Sequence, residues 1–149
     1  MFRFRLEPLI TIRDNVLKEK QAELGKAYEE RRVADEQRTK LEQDLANNLE
    51  EGRKAMQPGQ IDLSFLLGLR RHEMFLRMDH QSVLKYIDEK DQEIEWRRRA
   101  VIEANKELKI IEKLKEKQKA AYDAEIQRRE TIEMDEIASI RAARSIHPH

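Results

Sequence analysis

Over its whole length this chain of 149 residues has one convincing interruption. It is Met56-Gln-Pro-Gly-Gln-Ile61, where Pro58-Gly59 is a turn signal. Gly52 just upstream can stop a helix, and Asp62 or Ser64 downstream can cap the next one. Gly25 and Gly68 fall inside helical patterns, where each costs about 1 kcal/mol relative to alanine. A chain with so little punctuation folds as two long helices doubled back at a single place.

The apolar spacing agrees. Before the turn, Ile10, Leu17 and Leu24 recur every seventh residue, as do Ala27, Ala34 and Leu41, with Leu45 continuing the row. After it, Ile87, Ile94, Val101 and Leu108 recur by sevens, with Val83, Ala104 and Ile111 at the alternating offsets. That is the heptad pattern of a left-handed coiled coil. Lys20, Arg31, Arg38, Lys90 and Arg97 interrupt the seam, which weakens it and restricts the registers it tolerates. Acid-before-base pairs four residues apart (Asp14 and Lys18, Glu36 and Lys40, Glu50 and Lys54, Glu93 and Arg97, Glu125 and Arg129) each add roughly 0.2–0.5 kcal/mol to a helix. Pro8 suits a first helical turn, where no N–H is needed.

The predicted fold is all-α: a long antiparallel two-helix coiled-coil hairpin, with helix 2 extending beyond helix 1. Helix 1 spans about 7–54, the turn about 55–61, helix 2 about 62–143, and a flexible tail 144–149. At 1.5 Å per residue the helices are roughly 70 Å and roughly 120 Å long. Folding about the turn brings Leu41 near Phe75, Ala34 near Val83, Leu24 near Ile94, Leu17 near Val101 and Ile10 near Leu108. Helix 1 then ends opposite about residue 110. The remainder, 112–143, has no intramolecular partner yet carries Leu114, Tyr122, Ile126, Ile132, Met134, Ile137 and Ile140. A lone amphipathic helix does not hide such groups by itself, so the overhang is a binding surface or a frayed end, and binding is the reading adopted.

Composition narrows the function. Lys+Arg and Asp+Glu both number 30, so the net charge is zero, against the basic excess of a general nucleic-acid or acidic-membrane binder. The Arg97-Arg98-Arg99 run beside Trp96 is diluted by Glu93 and Glu95, and Trp96 is expected to pack beside the seam. With no cysteine there is no disulfide, thiolate metal site or cysteine nucleophile. His72 and His80 are eight residues apart, too far to share an ion, and His147 and His149 flank Pro148 in the tail. No metal site and no cofactor is expected. Four glycines form no phosphate-binding loop, and a two-helix stalk has no cavity to perturb a carboxylate for acid–base work, so the chain is not expected to be an enzyme. No window approaches the ~20 apolar residues that span a bilayer, so the protein is expected to be soluble without direct membrane insertion.

Phe65, Leu66, Leu67, Leu69, Met74, Phe75, Leu76 and Met78 crowd the turn end on more than one helix face. Either part of this patch is an exposed partner site, or the tip is locally thickened and packed against Leu45, Leu49 and Met56.

The opening Phe2-Arg-Phe-Arg-Leu-Glu-Pro-Leu-Ile10 with Arg13, and the closing Ile111-Glu-Lys-Leu-Lys115, Tyr122, Arg128-Arg129 and Asp135-Glu-Ile-Ala138, resemble the flagellar export protein family FliJ. The resemblance covers essentially the whole chain. It implies a cytoplasmic component of the flagellar type III export apparatus, at the inner membrane of the flagellar base. Its stalk-like coiled coil inserts in a hexameric export ATPase ring, promotes ring assembly, and links the ring to the export gate membrane protein. Export chaperones are further implied partners. On this basis Phe75 and Leu76 would contact the gate. Phe4, Leu6, Leu114, Tyr122, Ile126, Arg129, Asp135 and Glu136 would contact the ATPase ring. One departure is Asp79, standing one helical turn after Phe75 where the family has an aliphatic residue. The alternatives are the equivalent stalk of a virulence type III secretion system, or a generic coiled-coil scaffold or holdase chaperone without an ATPase partner.

Overall fold

The computed structural model describes residues 1–146. Two helices account for most of them: α1, Glu7–Ala55, and α2, Leu63–Ile146. The longer α2 packs against α1 as the coiled-coil hairpin that the heptads predict. Helix α1 runs through Gly52 to Ala55, within a residue of its expected end, since the ~1 kcal/mol cost of one glycine does not break a helix. The end of α2 differs from expectation. Helix α2 continues through residues 144–146, which the sequence assigned to a tail; residues 147–149, with His147 and His149, lie outside the described ones.

Local chemistry sets the ends. The Leu6 carbonyl accepts the N–H groups of Leu9 at 2.9 Å and Ile10 at 3.2 Å, so Pro8 in this first turn forfeits no bond. Arg53 and Lys54 occupy the last turn of α1, where cations favour the carbonyl end of the helix dipole. Gly59 has φ +143°, a conformation that side-chain-bearing residues avoid. Of the two candidate caps, Asp62 does the capping: its Oδ1 accepts the N–H groups of Ser64 at 3.0 Å and Phe65 at 3.3 Å.

The chain packs as two units. In Lys18–Ile102, the core is Ala34, Leu41, Leu76, Val83 and Ile87, with Leu45 packed on it; Ala27 and Ile94 are buried as well. Leu76 therefore takes the seam position next to Leu41 that the sequence reading gave to Phe75. One residue is about 100° of helix, enough to turn Phe75 outward. Asn48, also buried, donates from Nδ2 to the Leu69 carbonyl at 3.1 Å. Several charged interruptions of the seam become cross-helix ties. Arg31 pairs with Asp91, Lys90 with Glu30, and Arg97 with Glu23 at 3.0 Å. Arg38 stays on its own helix with Asp35 and Glu42, and Lys20 reaches Glu23 at 3.8 Å.

In the second unit, Met1–Leu17 with α2 from Glu103 onward, Phe4, Leu17, Ala104, Leu108 and Ile111 are buried. Arg13 pairs with Glu107 at 2.7 Å and Glu7 with Lys115 at 2.8 Å. Ahead of α1, the first six residues run along α2 as a strap. The Met1 ammonium donates to the Tyr122 hydroxyl at 2.9 Å, and the Phe2 ring lies 5.5 Å from that of Tyr122. This corrects the expected overhang. Six residues at up to ~3.3 Å each reach ~20 Å, the length of about thirteen helical residues, so the strap accompanies α2 well beyond residue 111. Every described residue is exposed only from 127 onward.

Candidate functional site

Two regions carry the residues expected to meet partners. In the strap unit, Phe4 is 8% exposed, because it turns in against α2 as the last apolar residue of the seam. Leu6 is half-buried beside the α1 cap. Phe4 is therefore not a free contact surface. Tyr122 and Ile126 are half-buried, and Leu114 is exposed. Beyond them, Arg129, Asp135 and Glu136 stand on the bare part of α2. Arg129 and Arg128 both reach Glu125, at 3.4 and 2.7 Å. The Arg128 bond chiefly holds the Glu125 carboxyl below the usual glutamate range. Ile132, Asp135, Glu136, Ser139 and Ile140 line a shallow hollow of about 400 Å³ on this segment. Asp135 and Glu136 thus adjoin apolar side chains, an arrangement suited to a partner surface that is partly apolar and partly basic.

At the turn end of the other unit, the two expected gate residues part company. Phe75 is 60% exposed, whereas Leu76 is 6% exposed and belongs to the core. Exposed Leu49, Met56, Leu63, Phe65, Leu67, Met74 and Met78 surround the tip. Of the two readings of the tip, the exposed patch is the observed one, although Leu66 and Leu69 turn partly inward. Two helices offer a helix only one covered stripe, so apolar residues on its other faces stay in water.

Trp96 does not pack beside the seam. It is 63% exposed, with the Arg97 guanidinium 5.4 Å from its ring centroid. Two residues beyond the buried Ile94 is about 200° of helix, which turns the indole outward. His80 faces Glu42 at 3.2 Å. Among the described residues, no group of three or more His, Asp or Glu side chains could hold a metal ion, and no helix is long and apolar enough to cross a membrane. The sequence reading missed the roles of Phe2 and Asn48. The aromatic pair at Phe2 and Phe4 was the available signal for the strap; Asn48, seven residues after Leu41, was the signal for a polar seam position.

A family profile described as flagellar FliJ protein matches residues 1–146. No curated protein matches. A solved structure described as a YscO homolog from Chlamydia trachomatis is similar over 100% of both chains, at 18% identity and a TM-score of 0.46. By the profile match over almost its entire length, this chain belongs to the FliJ family of flagellar proteins, components of the type III protein export apparatus.

Proposed function

We propose that the chain is the stalk of that apparatus: its strap-and-arm region enters the pore of the hexameric export ATPase, and the Phe75 face links to the cytoplasmic domain of the export gate membrane protein. The observation that carries this reading is the bare arm. From residue 127 to 146 α2 is exposed all round, and Ile132, Ile137 and Ile140 remain 44–54% accessible. A helix with apolar groups in water on several sides is suited to a partner that surrounds it, as a ring pore does. Leu114, Tyr122, Ile126, Arg129, Asp135 and Glu136 are the ring contacts on this reading. Phe4 and Leu6 act indirectly, by holding the strap. Phe75 is the gate contact, without Leu76.

The mechanism needs no bond chemistry from the chain. Binding the assembled ring in preference to free subunits stabilises the ring by linkage. Unequal contacts with the subunits bias which conformation each adopts as its site cycles. The protein works in the cytoplasm against the inner membrane at the flagellar base, where export chaperones are further partners.

Mixing the purified chain with the export ATPase tests this. Ring formation and ATP turnover should both rise, and truncation after Ile126 should abolish the rise. Phe75→Ala should weaken gate binding and leave the stimulation intact. An ATPase indifferent to the full-length chain would leave the scaffold or holdase reading standing instead.

A further inference from the structure

Along α2 two blocks of opposite charge stand side by side. From Asn105 to Tyr122 there are six lysines and three glutamates, a net +3; from Asp123 to Glu136 there are six acids and two arginines, a net −4. Elsewhere ion pairs are dense, yet Lys106, Lys109, Lys113 and Lys117, and likewise Asp123, Glu130 and Glu133, have no partner among the described residues. These residues follow one stripe. Lys106, Lys109, Lys113 and Lys117 lead at steps of three and four to Ala120, then to Asp123, Gln127, Glu130 and Met134. Steps of three and four keep residues on one helix face. All nine are exposed, as are Ile110 and Ile137 beside the stripe, at 67% and 48%. The start of α1 and the strap are held elsewhere on the helix, at Lys115 and Tyr122.

Such a stripe is complementary to itself when reversed. We propose that a second copy of this chain docks on it, with the two α2 segments antiparallel about a two-fold axis at Ala120. Each pairing then occurs twice, as two-fold symmetry requires. Lys117 meets Asp123 of the other copy, Lys113 meets Gln127, Lys109 meets Glu130 and Thr131, and Lys106 meets Glu133 and Met134. The small side chains of Ala120 and Ala124 lie at the centre, where the helices approach most closely. The interface includes part of the arm that a ring pore would enclose, so self-pairing and ring entry exclude one another. The dimer itself does not depend on the ring reading, and its test uses this protein alone.

Sedimentation of the full chain should show a concentration-dependent dimer at low salt, weakened about tenfold or more when salt is raised to a Debye length of ~3 Å. A variant carrying Lys109→Glu, Lys113→Glu and Lys117→Glu should be monomeric, and so should one carrying Asp123→Lys, Glu130→Lys and Glu133→Lys. Mixing the two should restore a heterodimer, a rescue that general destabilisation would not produce. Because the native chain has no cysteine, Ala120→Cys reports the axis directly. Mild oxidation should link it to itself, while Gln81→Cys should stay unlinked. A chain that remains monomeric at low salt overturns the proposal, including the case in which the stripe serves a different protein. So does a dimer indifferent to salt and to all six reversals.

Discussion

Among single residues, the polar members of the seam have the clearest measurable consequences. Asn48→Ala removes the donor to the Leu69 carbonyl and leaves a gap between helices, so unfolding in urea should show a loss of about 1–2 kcal/mol. Asn48→Leu should melt no lower than the native chain but populate more than one helix register, detectable as extra products in paired-cysteine crosslinking across the hairpin. The carboxylates have a different signature, in pH. Hydrogen bonds from Lys90 and then Arg97 hold Glu93 below the usual glutamate range, against a smaller opposing effect of burial. A depressed folded-state pKa contributes stability that is present above the unfolded value and lost as pH falls through the folded one. Denaturant melts should therefore weaken on acidification below the ordinary glutamate range, and Glu93→Gln should show a smaller acid loss. An equal acid loss in both proteins would remove Glu93 from this account.

Individual elements depend on a few specific ends. Asp62→Ala should cost about 1 kcal/mol by freeing the N–H groups of Ser64 and Phe65, and hydrogen exchange should rise first over residues 63–67. The strap is the other vulnerable element. Phe4→Ala empties a buried site whose neighbours are few, at a cost on the order of 2–3 kcal/mol. The loss should appear as local exchange over residues 108–126, with the Lys18–Ile102 unit unchanged. Were protection to fall evenly along α2, the strap would not be a separate clasp.

For the chain as a whole, the relevant quantity is how much of α2 the fold needs. Residues 127–146 are exposed throughout, so truncation after Ile126 should change the unfolding free energy by less than about 1 kcal/mol, while helical ellipticity falls with the residues removed. Truncation after Ile110 is different, because it also removes the buried Ile111, Lys115, which pairs with Glu7, and Tyr122, which holds the strap. That shorter chain should lose protection around Phe4 and Glu7 as well. Comparing the two truncations by melting and exchange separates the part of α2 that the fold uses from the part left for partners.

The hairpin was legible from residues alone because its determinants are local and repetitive. Ile87, Ile94 and Leu108 at sevens, one Pro-Gly turn, and a capping aspartate specify helices and a reversal without reference to distant groups. Family membership was legible for a related reason, since the opening and closing motifs are contiguous runs. What the tertiary structure decided is which side of a helix each residue occupies once a partner is in place. A shift of one residue, about 100°, sent Leu76 into the core and left Phe75 outside. Trp96, two residues past Ile94, went to water. The reach of the strap to Tyr122 depends on where six non-helical residues settle, and periodicity says nothing about residues that are not periodic. The seam cations behaved likewise: the heptad spacing showed Lys90 and Arg97 as interruptions, and only the facing helix, by presenting Glu30 and Glu23, turned them into ties.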